Sequence, residues 1–365
     1  MTRAALVLFQ TLILLTLAEG AARIAEWLRP QSNDLAFDYA PYRMLRMTRA
    51  PWPLNRDGFR ARELESYRNT FLIEFLGGSV CLGVGTNPGP TLPERFQAAF
   101  QARGLGRRIA VLNLCQGGAT SAQELAIFIQ YGLPLDPQVV LSFDGANDLL
   151  HPRPVGEDEA PNLPYRNAQM RAWFEGHHTA LAHLALVRVA GRIVKPLPAT
   201  GPAVPTEAIL RSYEYAMGVT RTLAESQGAM YAVLFQPALH YQKPWSEAEK
   251  KMWRERSGKD GEQTSRRARE LYAAAVPQLG RWAAARDATF LDLTGVFAYT
   301  SETIYSDSVH FTGERGYALL FDEVERQGLL DRITARYRQW EAHGKGNGAT
   351  IDTTIDTGRK ISWVQ

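Results

Sequence analysis

Five short apolar runs, each closed by a glycine or a polar cluster and separated by helix-length segments, restrict this chain to few folds. They are Phe71–Leu76 (FLIEFL), Ile109–Leu114 (IAVLNL), Gln138–Phe143 (QVVLSF), Ala229–Phe235 (AMYAVLF) and Ala288–Leu293 (ATFLDL). Each is too short for a helix and too continuously apolar for a half-exposed strand, which is the pattern of parallel strands buried on both faces. The intervening segments read as helices. Pro93–Arg103 stops at Gly104, Ser121 begins a helix with Glu124 in the capping-box position, Glu207–Gln227 and Glu262–Arg286 are long, and Gly313–Arg326 closes the series. Strictly alternating strands and helices imply an α/β/α three-layer sandwich around a five-stranded parallel sheet. In such sheets ligands bind beyond the carboxyl ends of the strands.

The polar clusters of this chain fall at those ends. Gly77-Gly78-Ser79 places a hydroxyl on a sharp turn, and the helix after it can aim N–H groups at a developing anion. Gly117-Gly118 brings bare backbone close to the same edge. Gly145-Ala146-Asn147-Asp148 supplies an amide donor of the kind an oxyanion hole uses, with Asp148 expected to cap the following turn. Asp307-Ser308-Val309-His310 follows the last strand, and its spacing lets one local turn bring a carboxylate onto an imidazole. Taken singly, each of these motifs is more often a turn, a cap or a surface pair than a site. Their order along successive strand ends is what makes them one constellation.

That order resembles the SGNH (GDSL-like) hydrolases, over roughly Phe71 to Arg326. The resemblance implies the flavodoxin-like SGNH fold, with Ser79 as nucleophile and Asp307 and His310 completing the triad. It implies an oxyanion hole formed by the Ser79 N–H, the Gly118 N–H and the Asn147 side chain. One position departs from the family pattern: Gly78 stands where an aspartate often precedes the nucleophile, as in members that resemble envelope-associated hydrolases. The departure removes an orienting carboxylate and leaves the triad and the hole.

Outside this region the chain divides into further parts. Arg3 precedes an apolar run from Ala4 to Ala18, and the helical pattern continues to Leu28, where Pro30 stops it. Residues 1–28 are expected to be a membrane anchor with Trp27 at the interface, or a cleaved signal sequence. Both place the remainder outside the cytoplasm, periplasmic in a bacterium. Residues 29–70 read as an irregular approach segment, and 71–340 as the hydrolase domain. Insertions are expected at about 151–205 and 241–260, and a disordered tail at 341–365, where Ile351–Thr354 nearly repeats as Ile355–Gly358. His151, Trp173 and His240 are candidate cleft residues, and Arg60 a candidate to approach the site.

Composition narrows the function. There are 41 Lys and Arg against 38 Asp and Glu, a net charge of +3, and the basic residues are dispersed. No basic stripe with interleaved aromatics exists, so nucleic acid is not an expected partner. The two cysteines, Cys81 and Cys115, have no metal-ligand spacing and are expected as small buried residues rather than a disulfide. No ligand-spaced cluster and no phosphate-binding glycine loop implies a metal or organic cofactor. The expected activity is serine-dependent hydrolysis of acyl esters, acetyl among them, on envelope glycan or exported polysaccharide. The same triad would serve a periplasmic O-acyltransferase, or a lipase or thioesterase. A non-catalytic glycan-binding or export-complex protein is the remaining alternative. The expected partners are therefore an acyl-ester substrate, carbohydrate or lipid, and the membrane through the N-terminal helix.

Overall fold

The computed structural model describes residues 2–28, 36–40, 43–85, 90–105, 108–150 and 204–343. Of the expected insertion only 204 and 205 fall within that set, so His151 and Trp173 lie outside the described residues, as does the expected tail beyond 343.

The five apolar runs form one sheet. Its strands are β3 (Phe71–Gly77), β4 (Ile109–Asn113), β5 (Val139–Asp144), β6 (Met230–Phe235) and β7 (Thr289–Asp292). All pairings are parallel, in the order β4-β3-β5-β6-β7. Register is set by pairs such as Gly77 with Phe143 and Asp144 with Phe235. All residues of β3 and β5 are buried, which is why both read as mainly apolar runs, with Glu74, Ser142 and Asp144 as buried polar exceptions. The chain leaves β3, adds β4 on one side, then returns past β3 to begin β5 on the other. The order of strands reverses there, so the crevice between β3 and β5 is the topological switch point where such folds hold their ligands.

The helices α2 (Ser79–Leu82), α3 (Leu92–Ala102), α4 (Ser121–Ile127), α5 (Ala146–Leu150), α6 (Thr206–Ser226), α7 (Glu247–Ser257), α8 (Gly261–Ala284), α9 (Glu314–Arg326) and α10 (Leu329–Ala342) follow α1 (Arg3–Leu28). The capping box of α4 lies one residue earlier than expected: Gln123 Oε1 accepts the Thr120 N–H at 2.9 Å. Glu124 is thereby released from the cap and is buried instead.

The approach segment is more regular than its composition implied. It carries an antiparallel hairpin, β1 (Ala36–Ala40) with β2 (Met44–Arg49). After the hairpin, Asn55 Oδ1 accepts the N–H groups of Asp57 and Phe59, closing the turn at Gly58. Arg43 anchors the segment. Its guanidinium is buried 4.9 Å from the ring centroids of both Phe59 and Tyr131, and its carbonyl accepts the Gln116 side-chain N–H at 2.9 Å.

One expectation is overturned outright. Cys81 and Cys115 form a disulfide, with Cα atoms 5.7 Å apart. The parallel pairing of β3 with β4 brings the two strand ends side by side. A cysteine on the first turn after β3 therefore meets one just beyond β4.

Candidate active site

Ser79 is the first residue of α2, directly after β3. Gly78 before it is extended, at φ −85° and ψ −157°, so what favours glycine there, with Asn147 placed as it is, is space and not conformation. A Cβ on Gly78 would lie 2.4 Å from Asn147 Nδ2. The turn is held from behind by Tyr317, whose hydroxyl donates to the Val80 carbonyl.

His310 and Asp307 reach Ser79 from the far end of the chain. His310 Nε2 is 2.7 Å from Ser79 Oγ, and His310 Nδ1 is 2.7 Å from Asp307 Oδ2. Asp307 Oδ1 accepts the backbone N–H groups of Val309 and His310 at 2.9 and 2.7 Å. This local turn is closed by the Ser306 N–H donating to the His310 carbonyl. Partial burial pushes the Asp307 pKa up, but the hydrogen bonds from the His310 ring and from the two backbone N–H groups outweigh it and hold the carboxyl at about 2. Asp307 is thus an anion at any ordinary pH. An anionic acceptor at Nδ1 fixes the tautomer that leaves Nε2 free to take a proton from Ser79.

Asn147 stands on α5, just past β5, and one hydrogen of its amide goes to the Ala119 carbonyl at 2.7 Å. That bond orients the side chain over the Gly78–Ser79 turn. Gly118 adopts φ +72°, a left-handed conformation natural to glycine. No atom lies within 4 Å of where its Cβ would be, so backbone shape alone calls for glycine here. The disulfide ties the helix carrying Ser79 to the segment leading into Gly117 and Gly118. The sequence-derived residues Ser79, Asn147, Asp307 and His310 are therefore gathered at one edge of the sheet, with the Gly118 turn beside them.

Other candidates are placed differently. Asp148 caps α4 rather than its own turn, accepting the Ser121 hydroxyl at 2.7 Å. Arg60 reaches the far end of the Ser79 helix: its guanidinium donates to the Leu82 carbonyl at 3.4 Å, pairs with Glu94 at 2.9 Å and lies over the Trp52 ring. His240 lines a neighbouring cavity.

Two residues not singled out as candidates hold the Asp307 loop in place. Lys243 and Glu249 form an ion pair at 3.0 Å with both side chains essentially unexposed. Glu249 Oε1 also accepts the N–H groups of Ile304 and Tyr305 at 3.0 Å each, and Lys243 Nζ donates to the carbonyl of Glu302 at 2.9 Å. The Ser246-to-Glu249 spacing is a capping box, legible in sequence. The lysine has no local pattern that marks it.

Residues 75–319 match the family model described as GDSL-like lipase/acylhydrolase. Similar solved structures include an acetyl xylan esterase, at 12% identity over 70% of this chain and 98% of that one, with a TM-score of 0.41. A lipase/acylhydrolase from Enterococcus faecalis is similar at 19% identity over 72% and 96%, with a TM-score of 0.41. A catalytic mutant of an acetylxylan esterase from Geobacillus stearothermophilus is similar at 15% identity over 70% and 92%, with a TM-score of 0.40. No curated protein matches the chain.

Proposed function

The chain belongs to the GDSL-like lipase/acylhydrolase family and is a carboxylic ester hydrolase, and from that premise we propose that Ser79, His310 and Asp307 carry out its reaction on acyl esters of extracytoplasmic glycan. The observation behind the assignment is the pair of 2.7 Å contacts that link Ser79 Oγ to His310 and His310 to Asp307.

In this reading His310 Nε2 takes the proton as Ser79 Oγ attacks the ester carbonyl, and Asp307 stabilises the imidazolium that results. The tetrahedral oxyanion is held by the Ser79 N–H, the Gly118 N–H and the Asn147 amide. His310 then protonates the departing alcohol oxygen, leaving an acyl-Ser79 ester. Water, deprotonated by His310, attacks that ester and releases the acid. Residues 71–340 are the hydrolase domain in this reading, and Phe37 of β1 packs beside Gly117.

Two features support placement outside the cytoplasm. Among the described residues one helix, α1, is long and apolar enough to cross a membrane. The Cys81–Cys115 disulfide belongs to an oxidising compartment. A hydrolase held there meets cell-wall glycan and exported polysaccharide, whose common esters are short acyl groups, acetyl first among them.

The deciding experiment is turnover of p-nitrophenyl acetate by the detergent-solubilised full chain, beside Ser79→Ala and labelling by a fluorophosphonate. Turnover and labelling that vanish together in Ser79→Ala are expected. Full activity in Ser79→Ala would remove Ser79 from the mechanism.

A further inference from the structure

Beside the proposed active site lies a cavity of about 410 Å³ that the reaction as described does not use. Its walls include Leu150, one turn beyond Asn147 on α5, and Ser308, which lies between Asp307 and His310. The Ser308 carbonyl accepts the Leu239 N–H at 3.0 Å, which fixes the next residue, His240, against the Asp307 loop. The cavity therefore touches both sides of the candidate site, the amide side through α5 and the carboxylate side through Ser308. Its size falls in the range of small-molecule sites, about 300–1,000 Å³.

His240 is its most informative lining residue. The residue is only 4% exposed, yet among the described residues neither ring nitrogen has a hydrogen-bond partner. Buried polar groups are nearly always paired, and leaving one unpaired is costly. The ring is clamped edge-on by Trp253 at 4.4 Å and packs against Trp245 at 5.4 Å, so it cannot swing away to find water. Burial, helped by the positive charge of Arg269, lowers its pKa to about 4. At neutral pH it is therefore uncharged and offers one N–H donor and one nitrogen acceptor. That combination is complementary to a hydroxyl, which both donates and accepts. Trp253 adds an aromatic face to the same wall, and exposed Gln263 and Thr264 line the rim. A ring face beside paired donors and acceptors fits a pyranose, which presents a C–H face and equatorial hydroxyls. An acyl chain would leave His240 unpaired.

We propose that this cavity is the subsite for the sugar that carries the ester, with His240 bonding a free hydroxyl of a neutral pyranose while its acyl group lies at Ser79. The proposal rests on the serine-esterase reading above and assigns the alcohol half of its substrate.

The test compares the full chain with His240→Phe, which keeps the aromatic packing and removes both nitrogens, and with Thr264→Trp, an exposed rim position where the new ring obstructs the mouth. Substrates are p-nitrophenyl acetate, p-nitrophenyl octanoate and partially acetylated methyl glycosides of glucose and xylose. Binding of the same glycosides to Ser79→Ala, with and without His240→Phe, is measured by calorimetry. The expected result is a loss of about ten-fold or more in kcat/KM for the glycosides in both variants, carried by KM, with p-nitrophenyl acetate unchanged. A ten-fold loss corresponds to about 1.4 kcal/mol, the scale of one hydrogen bond. Equal effects on all the substrates, or no effect on any, would overturn the subsite while leaving Ser79 chemistry in place. A loss confined to the octanoate would make the cavity an acyl pocket and overturn it too. If no ester is turned over, the esterase reading fails, and the calorimetry then stands alone: His240-dependent glycoside binding supports the subsite, and its absence removes it.

Discussion

The Cβ that Gly78 lacks would fall 2.4 Å from Asn147 Nδ2, while Gly118 has open space around it and a left-handed backbone. The two glycines therefore fail differently when replaced. Gly78→Ala is expected to displace the Asn147 amide and lower kcat by about 10- to 1000-fold, approaching the loss of an oxyanion donor, with KM little changed. Gly118→Ala is expected to cost about 1–2 kcal/mol in left-handed strain, read as a lower denaturation midpoint. Asn147→Ala gives the reference loss for the donor itself. Should Gly78→Ala match the wild type in kcat, the amide is not where the geometry puts it.

Asp307 yields a pH-dependent expectation. Its folded pKa of about 2 lies below its ordinary 3.8, so ionised Asp307 favours the folded state. That contribution is fully present above about pH 4 and is lost as pH falls toward 2. The melting temperature of the wild type should exceed that of Asp307→Asn near neutrality, and the gap should shrink across pH 4 to 2. A gap that stays constant over that range would deny the carboxylate its role. At neutral pH the same substitution should lower kcat by about 10⁴-fold, because it removes the anion that sets the His310 tautomer. At this scale the sequence was highly legible. Serine, asparagine, aspartate and histidine are needed for their functional groups, and glycine for its missing side chain, so each leaves a mark at a fixed place. Lys243 leaves none, because its contact with the Asp307 loop is made to the Glu302 carbonyl far along the chain, and His240, a candidate cleft residue by sequence, shows nothing there of the Trp245 and Trp253 rings that enclose it.

Among the elements, the central strands were readable because burial on both faces makes them largely apolar, and the half-buried edge strand β7 because a short apolar run follows a long helix. The hairpin of β1 and β2 was not. Its sequences, AFDYA and MLRMTR, mix charge with apolar residues, and the register that joins them depends on packing below. Helix α10 was overlooked although Leu329, Leu330, Ile333 and Tyr337 recur on one face, since its arginine-rich opposite face blurs the stripe. The disulfide is a tertiary consequence of the β3–β4 pairing, which no local pattern encodes. It closes a loop with a sequence separation of 34, so a chain-entropy estimate gives it about 3–4 kcal/mol. Reduction, or a Cys81→Ala and Cys115→Ala double variant, should lower the denaturation free energy by that amount in urea titrations. The Lys243–Glu249 pair is expected to be as consequential. Glu249→Gln leaves a buried ammonium without its counter-charge and weakens the support of Ile304 and Tyr305, a loss of about 3–5 kcal/mol. Replacing both partners by apolar residues should cost less than removing one. If the single and double variants unfold at the same urea concentration, the pair is not the staple its contacts describe.

For the molecule as a whole, the open question is how α1 relates to the hydrolase. The helix has 26 residues, which at about 1.5 Å per residue is roughly 39 Å, more than the ~30 Å of hydrocarbon it would cross. Several of its polar side chains are paired within the helix: Thr11 and Thr16 donate to carbonyls one turn back, and Glu19 pairs with Arg23 at 2.8 Å. Leu6, Val7, Phe9, Leu14 and Leu17 are exposed, as a lipid-facing helix requires and a water-facing one does not favour. The sheet, the disulfide and the Ser79–His310–Asp307 contacts are all made by residues beyond it. Removal of residues 1–28 is therefore expected to move the protein from the membrane fraction to the soluble one while Ser79-dependent turnover of p-nitrophenyl acetate persists. The full chain should resist extraction by carbonate and yield to detergent. Mass spectrometry of the exported chain separates anchor from cleaved signal: an intact N-terminal helix in the membrane fraction fits the anchor, and a soluble form with a new N-terminus near Gly20 fits cleavage. Retention of the truncated protein on the membrane would place the attachment elsewhere. Loss of activity in a folded, soluble truncation would make α1 part of the catalytic unit.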